Sequence, residues 1–267
     1  MNIAVLIKQV PDTETVIKIA DDKKSIKTDD IKWIMNPYDE YAVEAALRLK
    51  EKTGGKVTIV STGPQRVVES IRTALAMGAD EGVLVDDPAL EGSDVFGVAK
   101  ALSAVVKELN PDVILCGHRA VDYDEGQRGA AVAEILGLPH IPFAVAIDVD
   151  DGTTRVTVDR PVEGGKMTLE ASLPVLITLG GAHAIWNPRY ASLPGIMKAK
   201  KKPLATKTLA DLGIDPSEVG PDARKIRLIS MEMPPEREPG KIINGDLDTE
   251  GKAKELARVL KEEIKIL

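Results

Sequence analysis

The chain is 267 residues long, with 43% hydrophobic residues, 29% charged residues and a formal net charge of -7. A chain of this length can bury a sizeable core as one large or two small domains. No apolar run approaches the roughly 20 residues of a membrane-spanning helix, and the acidic balance disfavours a general nucleic-acid-binding role. We therefore expect neither direct membrane insertion nor nucleic acid as a partner.

The single cysteine and the three histidines restrict the chemistry further. Cys116 excludes an internal disulfide, and at the end of an apolar run it is predicted to be a small buried residue, which suits a cytoplasmic protein. The histidines lack metal-ligand spacing with each other or with Cys116, so no metal site is predicted. The opening segment 1–8 is too short for a signal peptide and predicts a first strand.

In the first half of the chain, strand-like runs alternate with helical periodicity, which is typical of βαβ units. These runs are residues 3–7, 57–61, 82–85 and 113–115. The first helix has a clear start, because Asn36 can cap it, Pro37 suits its first position and Asp39 faces the positive end of the helix dipole. A second helix is predicted to direct Val68, Ile71, Ala74 and Leu75 toward the core and to stop near Gly78. Further helices are predicted to begin at the pair Ser93-Asp94 and at about Gln127.

The second half has a different pattern. Residues 143–149 and 154–158 alternate across Asp150-Asp151-Gly152-Thr153, which predicts a hairpin, and residues 167–173 and 175–179 add strands that we expect on the same sheet. Beyond Gly180 the chain is irregular and rich in proline until a terminal amphipathic helix, marked by Leu256, Val259, Leu260 and Ile264. An arm of this kind needs a surface to cover, on its own domain or on a partner.

The segment from Gly117 to Gly129 is the most informative, because it predicts a strand end, a polar turn and a helix start at the carboxyl edge of a parallel sheet. Small residues there would let a ligand approach the first helical turn, so that backbone N–H groups hold a phosphate. They are Gly126, Gly129, Ala130 and Ala131. An ordinary loop is the alternative interpretation.

Other nucleotide-binding classes lack support. The chain has neither the G-x-G-x-x-G fingerprint nor the G-x-x-x-x-G-K-[ST] loop, which disfavours a nicotinamide dehydrogenase and a P-loop NTPase. Since no catalytic nucleophile, base and orienting acid are evident, the residues predict an α/β nucleotide-binding fold in a binding or carrier protein.

Four segments in a fixed order carry a resemblance to a known family: Asn36-Pro37-Tyr38-Asp39-Glu40, residues 71–80, residues 159–174 and residues 187–201. On these segments the chain resembles, nearly end to end, the beta subunits of electron transfer flavoproteins. The resemblance implies a Rossmann-like, adenine-nucleotide alpha-hydrolase-like parallel sheet with helices on both faces, added antiparallel strands and an extended C-terminal arm ending in a helix. It also implies a heterodimer whose alpha subunit carries the redox-active FAD. The expected regions are a nucleotide-binding domain at 1–182, a partner recognition loop at 183–203 and an arm at 204–267 that embraces the alpha subunit.

The resemblance further implies a cofactor pocket in this chain that holds a structural AMP or a second FAD. The pocket residues carried over are Ile7, Lys8, Asn36, Tyr38, Asp39, Thr62, Gly117, His118, Arg119, Ala120, Val121, Asp122, Gly126, Gln127, Arg128 and Gly129. Val121 and Asp122 would approach the adenosine, and Gly126 to Gly129 would direct N–H groups at the phosphate. Three of these residues have an alternative interpretation. Asn36 would be only a helix cap, Lys8 only a surface charge and Asp122 only a solvated side chain.

The choice between AMP and FAD depends on two features. Gly92-Ser93-Asp94 followed by a helix resembles members with a second flavin, where Ser93 would donate to flavin or phosphate and Asp94 would face the ring. Arg128 would hold a diphosphate, or merely balance Asp124 and Glu125. These features favour FAD and electron bifurcation from NADH, with ferredoxin as a candidate acceptor. In the alternatives this chain binds AMP, and Ser93 only caps its helix; Val95 and Phe96 depart from the threonine-bearing pattern of the bifurcating members.

An apolar segment followed by a basic cluster predicts a protein-docking loop rather than a nucleic-acid patch. In the family this region seats a leucine, here Leu193, in a pocket of the partner acyl-CoA dehydrogenase, and Lys198 and Lys201 would steer the encounter. Ile196 and Met197 complete the predicted docking set, and packing of Leu193 into the local core is the alternative.

A protein of another class also fits part of the sequence, namely a stand-alone ATP-binding sensor of the universal-stress type. Gly126-Gln127-Arg128-Gly129 supplies the first half of its phosphate motif. Leu138-Pro139-His140 occupies the place of the second half, which disfavours this class.

Overall fold

The computed structural model describes residues 1–150, 154–237, 239–240, 242–243 and 246–266. The strands are β1 (Asn2–Leu6), β2 (Gln9–Pro11), β3 (Trp33–Met35), β4 (Lys56–Thr62), β5 (Glu81–Val85), β6 (Val113–Gly117), β7 (His140–Ala144), β8 (Ala146–Val149), β9 (Arg155–Val162), β10 (Gly165–Ser172), β11 (Val175–Leu179) and β12 (Leu204–Lys207). The α-helices are α1 (Pro37–Thr53), α2 (Val68–Met77), α3 (Val95–Leu109), α4 (Arg128–Leu136), α5 (Leu193–Ala199) and α6 (Thr249–Arg258). A seven-stranded sheet with the order β12-β5-β4-β1-β6-β11-β7 forms the centre of the protein, and all of its strand pairs are parallel.

Helices cover both faces of this sheet, and each face has its own core. Val5 on β1 packs in the core that includes residues of α1 and α2, whereas its neighbour Leu6 packs in the core that includes residues of α3 and α4. Successive side chains of a strand point to opposite faces, so a strand covered on both faces reads as a continuous apolar run. The α/β class and the strands and helices predicted for the first half are confirmed.

The expectation that all late strands join the same sheet is wrong in part. Strands β7 and β11 belong to the central sheet, but β8, β9 and β10 form a separate antiparallel sheet. In the first half of β9 the buried Val156 and Val158 alternate with more accessible residues, which is typical of a sheet with one covered face, whereas β11 is buried throughout. The predicted hairpin is confirmed by the pairing of Val149 with Val156, and its turn residues 151–153 lie outside the described residues.

The elements that were not predicted from the sequence include the short antiparallel pair β2–β3, the first residues of β7, the helix α5 and the edge strand β12. Because β12 pairs with β5, the chain beyond residue 203 first extends the central sheet, and Leu209 and Val219 are buried in the second core. The predicted terminal helix is confirmed as α6, which continues into a π-helical turn at Val259–Ile264. In the part of the chain that the structure describes, every helix is too short or too polar to cross a membrane.

Candidate nucleotide-binding site

The predicted site residues meet where the parallel strands end. Ile7 and Lys8 follow β1, Thr62 ends β4 and Gly117 ends β6. The amino termini of α1 and α4 lie at the same edge, because Asp39 in the first turn of α1 binds Gly117 at the end of β6 and Arg128 at the start of α4. Ligands of open α/β sheets bind at this edge.

Asp39, in the first turn of α1, connects the elements of this edge. Its carboxylate is fully buried. Oδ2 accepts from the backbone N–H of Lys8 at 2.7 Å and Oδ1 accepts from that of Gly117 at 2.8 Å. The guanidinium of Arg128 donates to both oxygens, at 2.9 and 3.1 Å. One carboxylate thus fixes the ends of β1 and β6 and the start of α4.

Arg128 directs its charge into the protein. Its side chain is 15% exposed and pairs with Asp39. Burial lowers the pKa of the Arg128 guanidinium, but the attraction of Asp39 outweighs it, so the pKa is raised above the ordinary value. Asp124 pairs instead with Arg119, at 2.9 Å. The interpretation that Arg128 balances Asp124 is therefore wrong.

Asn36 holds the loop and does not cap its helix. It occupies the residue before α1 but makes no side-chain capping bond. Instead its Nδ2 donates to the carbonyl of Arg119 at 2.9 Å, and its Oδ1 accepts from the N–H of Val121 at 3.2 Å. The side chain is fully buried and spans the gap between α1 and the 119–121 segment. The capping prediction fails because the amide nitrogen and oxygen of Asn36 both bind the loop and neither binds the first turn of α1.

Two further pairs hold the loop from its outer side. Lys8 Nζ lies 2.6 Å from Asp122 Oδ2, and these side chains are 34% and 16% exposed, so neither is a freely solvated charge. The guanidinium of Arg119 donates to the Tyr38 hydroxyl at 2.8 and 3.1 Å. The first half of the loop is thereby tied to Lys8, which follows β1, and to α1.

His118 adds an aromatic surface. The backbone N–H of His118 donates to the carbonyl of Leu179 at 3.0 Å, and the ring Nδ1 lies 2.9 Å from the same oxygen. The ring packs edge-on between Tyr38 and Phe143, with centroids 4.5 and 4.6 Å apart. Burial lowers the pKa of His118, so the ring is neutral at neutral pH.

The amino terminus of α4 is open toward the loop. Gln127 precedes the helix and makes no side-chain capping bond, so no side-chain cap covers the first-turn N–H groups in this part of the described chain. Gly129 was expected to let a ligand approach, but a Cβ there would lie 2.5 Å from Cγ2 of Thr178. Its small size is required by the contact between α4 and the sheet, so that expectation is corrected for Gly129.

The remaining predicted pocket residues differ in what they present. Ile7 is 2% exposed and lies in the core, so only its backbone can face this edge. Thr62 and Ala120 are half-buried, and Gly126 is exposed with a φ of 65°. Cys116 is fully buried, as predicted, and burial raises the pKa of its thiol to about 12.

Gly92-Ser93-Asp94 lies between β5 and α3. Asp94 caps α3, since its Oδ1 accepts from the N–H groups of Phe96 and Gly97 at 3.0 and 3.2 Å. The Ser93 hydroxyl accepts from the N–H of Gly220 at 2.7 Å. The interpretation that Ser93 only caps the helix is therefore wrong, because that role belongs to Asp94.

The predicted docking residues lie on α5 and its flanks. Leu193 is 80% exposed and Met197 66%, so packing of Leu193 into the local core is excluded. Lys198 and Lys201 are also exposed, whereas Lys202 donates to the carbonyl oxygens of Leu75 and Ala79 at the end of α2, at 2.9 and 2.5 Å. The basic cluster thus divides into an exposed part and one structural lysine.

Sequence reasoning missed the residues that hold α5 in place. Arg72 on α2 donates to the carbonyl oxygens of Ala199 and Lys202 at 2.5 and 2.8 Å. Arg189 binds Glu44, whose carboxylate is 2% exposed, and also Glu51. Arg72 and Arg189 lie in two of the segments that carry the family resemblance. Their place in these segments was the signal from which a structural role could have been predicted.

A cavity of about 740 Å³ opens at the opposite edge of the sheet, next to Met1, Asn110 and Leu173, and includes none of the predicted site residues. Among the described residues, no group of three or more His, Cys, Asp and Glu side chains is arranged to hold a metal ion.

Comparisons with known proteins show the family of this chain. Residues 24–212 match the family model described as the electron transfer flavoprotein domain. Proteins named electron transfer flavoprotein subunit beta from Bacillus subtilis (strain 168) and Syntrophomonas wolfei are 39% and 40% identical to this chain, cover all of it, and are themselves covered to 100% and 99%. The protein of that name from Bos taurus is 39% identical over 96% of this chain and 97% of its own length. The chain belongs to the electron transfer flavoprotein family, among the beta subunits.

Proposed function

We propose that this chain is the beta subunit of a heterodimeric electron carrier and holds an adenine nucleotide at the carboxyl edge of its sheet. The alpha subunit would carry the redox-active FAD. The observation that carries the proposal is the loop 117–127, which Asn36, Asp39 and Lys8 hold from three sides in front of an uncapped helix start. A loop fixed before the ligand arrives loses little entropy on binding.

The donor set fits the AMP moiety, which AMP and FAD share. N–H groups at the start of α4 suit a phosphate, because a helix amino terminus combines free donors with the positive end of the dipole. Val121, which is 36% exposed, and Asp122 are the residues that we assign to the adenosine. Bound AMP supplies no redox chemistry; this chain's residues hold and orient it.

Of the two nucleotides, we favour AMP. In the sequence, the features that favour a second FAD are Arg128 and Gly92-Ser93-Asp94. Each of these groups already has partners within the chain: Asp39 for Arg128, Gly220 for Ser93, and backbone N–H groups on both sides for Asp94. A mononucleotide needs none of them. The sequence Gly92-Ser93-Asp94 itself is what supports FAD and bifurcation from NADH to an acceptor such as ferredoxin.

Acid extraction of the purified heterodimer, followed by chromatography, tests the proposal. We expect one FAD and one AMP per heterodimer, and NADH should bleach no second flavin. Two FAD per heterodimer, one of them reducible by NADH, would overturn AMP and establish the bifurcating alternative. A heterodimer with a single FAD and no further adenine nucleotide would contradict the nucleotide site altogether.

We further propose that α5 docks an acyl-CoA dehydrogenase and that the chain beyond Val219 embraces the alpha subunit. The support is exposure: Leu193, Ile229 and Ile266 are 80%, 69% and 68% exposed, and large apolar side chains on a surface mark protein contacts. The exposed lysines beside Leu193 suit an acidic rim on the dehydrogenase.

A further inference from the structure

The C-terminal arm leaves the body of the protein at a defined point. Val219 is 3% exposed and packs in the second core. The next seven residues, 220–226, which we call the arm root, lie against Gly92-Ser93-Asp94. The next backbone hydrogen bond from the arm to the body joins the N–H of Met231 to the carbonyl of Lys23, at 2.7 Å.

Each residue of Gly92-Ser93-Asp94 binds the arm root. The hydroxyl of Ser93 accepts from the N–H of Gly220 at 2.7 Å. The Asp94 Oδ2 accepts from the N–H groups of Lys225 and Ile226 at 2.6 and 3.2 Å. The carbonyl of Gly92 accepts from the guanidinium of Arg224. Three consecutive residues therefore hold both ends of the root.

Asp94 serves two elements with one carboxylate. Its Oδ1 caps α3 and its Oδ2 binds the arm root, so four backbone N–H groups converge on it. Burial raises the pKa of Asp94, but these donors lower it more, and the net pKa lies below the ordinary value. The group is ionised at neutral pH, and both oxygens accept.

The close approach of the root is also specified by a glycine. Gly220 has a φ of 76°, and a Cβ there would lie 2.7 Å from the carbonyl oxygen of Ala89. Any other residue would strain the backbone and push the root away from the body. This steric requirement is independent of the hydrogen bonds of Ser93 and Asp94.

We propose that Gly92-Ser93-Asp94 anchors the arm root and that Asp94 is a positioning residue for the subunit interface. By fixing residues 220–226 it sets the direction in which the arm leaves the body. This inference rests on the proposed function, in which the arm embraces the alpha subunit. An anchored root reduces the conformational entropy that the arm loses on association, so loosening it should weaken the heterodimer.

The test compares Asp94→Asn with Ser93→Ala and a control. Asparagine caps helices as well as aspartate does, but it retains only one acceptor oxygen, so α3 can remain capped while the root loses its acceptor. Ser93→Ala removes only the acceptor of Gly220 and does not touch the cap. Asp215→Asn is the matched control, since Asp215 caps only its own turn, through the N–H of Ser217 at 2.8 Å.

Amide hydrogen exchange on the full chain measures the anchor, and titration of the alpha subunit measures the interface. We expect roughly tenfold or faster exchange at Lys225 and Ile226 in Asp94→Asn, at Gly220 in Ser93→Ala, and at neither place in the control. Heterodimer affinity should fall about three- to tenfold in Asp94→Asn. The nucleotide content of the heterodimer should not change.

Unchanged exchange in the root of both variants would overturn the anchor. Faster exchange with unchanged affinity for the alpha subunit would overturn the role at the interface. Loss of nucleotide while the root stays protected would place Asp94 in the cofactor site instead. These failures differ from failure of the proposed function, in which the wild-type chain itself would not bind the alpha subunit.

Discussion

The carboxyl edge of the sheet and the surface beyond residue 180 differ in whether their side chains have partners within the chain. At the edge, Asn36, Asp39 and Arg128 use their polar groups within the chain. Beyond residue 180, Tyr190 and Leu193 are 98% and 80% exposed. The difference teaches that the edge is formed before any ligand binds, whereas the second surface is complete only against another protein.

Removal of the Asp39 carboxylate should have the largest effect on the free energy of unfolding. Asp39→Ala would leave the buried Arg128 cation without its partner, and removing one member of a buried pair costs about 3–5 kcal/mol of unfolding free energy. Urea unfolding measures this change. The exposed Asp29, substituted in the same way, is the control and should change stability by less than about 0.5 kcal/mol. A loss below about 1 kcal/mol for Asp39→Ala would show that the edge does not depend on this carboxylate.

Shortening the docking residue should affect binding and leave the fold unchanged. Leu193→Ala removes an anchor worth about 2 kcal/mol in a partner pocket, so the apparent affinity for an acyl-CoA dehydrogenase should fall roughly ten- to thirtyfold. The rate of dehydrogenase-coupled flavin reduction against dehydrogenase concentration measures it. Because Leu193 is 80% exposed, the urea midpoint and the flavin content should stay at the wild-type values. Wild-type kinetics in this variant would contradict the docking role of α5.

The two kinds of lysine in the basic cluster offer a smaller and sharper test. Lys201→Gln should slow association with the dehydrogenase about two- to fivefold at low salt and have little effect at high salt. Lys202→Gln should instead lower the unfolding free energy by about 1–3 kcal/mol, because its ammonium satisfies two carbonyl groups at the end of α2. If the two variants changed the association rate and the unfolding free energy by equal amounts, the distinction between an exposed Lys201 and a structural Lys202 would be refuted.

The smallest effect is expected at Cys116. Its thiol is fully buried and burial raises its pKa to about 12, so it should not react with a maleimide at pH 8 in the folded chain. Unfolding in guanidinium should restore one reactive thiol per chain. Rapid labelling of the native protein would show that the second core opens readily.

The sequence predicted the elements of the body because local signals determine them. Continuous apolar runs gave the central strands, and Pro37 and Asp39 marked the start of α1 correctly. The separate β8–β9–β10 sheet was missed since alternation fixes a strand but not its neighbours. Strand β12 was missed because only its pairing with β5, far back in the chain, makes those four residues a strand.

The site was predicted as a set of residues, but the bonds between them were not. The pairing of Arg128 with Asp39 joins positions 89 residues apart, and that of Asn36 with Arg119 joins positions 83 apart. Both depend on β1 and β6 being neighbours in the sheet, which sequence periodicity does not specify. For the same reason the sequence predicted a cap or a ligand contact for Asn36, and not its bonds to Arg119 and Val121.

Amide hydrogen exchange of the heterodimer, stripped of the nucleotide in this chain and then supplied with AMP, tests the central account most directly. We predict that AMP protects the segment 119–130 and leaves residues 92–94 and 220–226 unchanged, since the first is the nucleotide site and the others form the anchor. Protection of residues 92–94 by FAD, together with no change at 119–130 on adding AMP, would contradict both the proposed site and the preference for AMP.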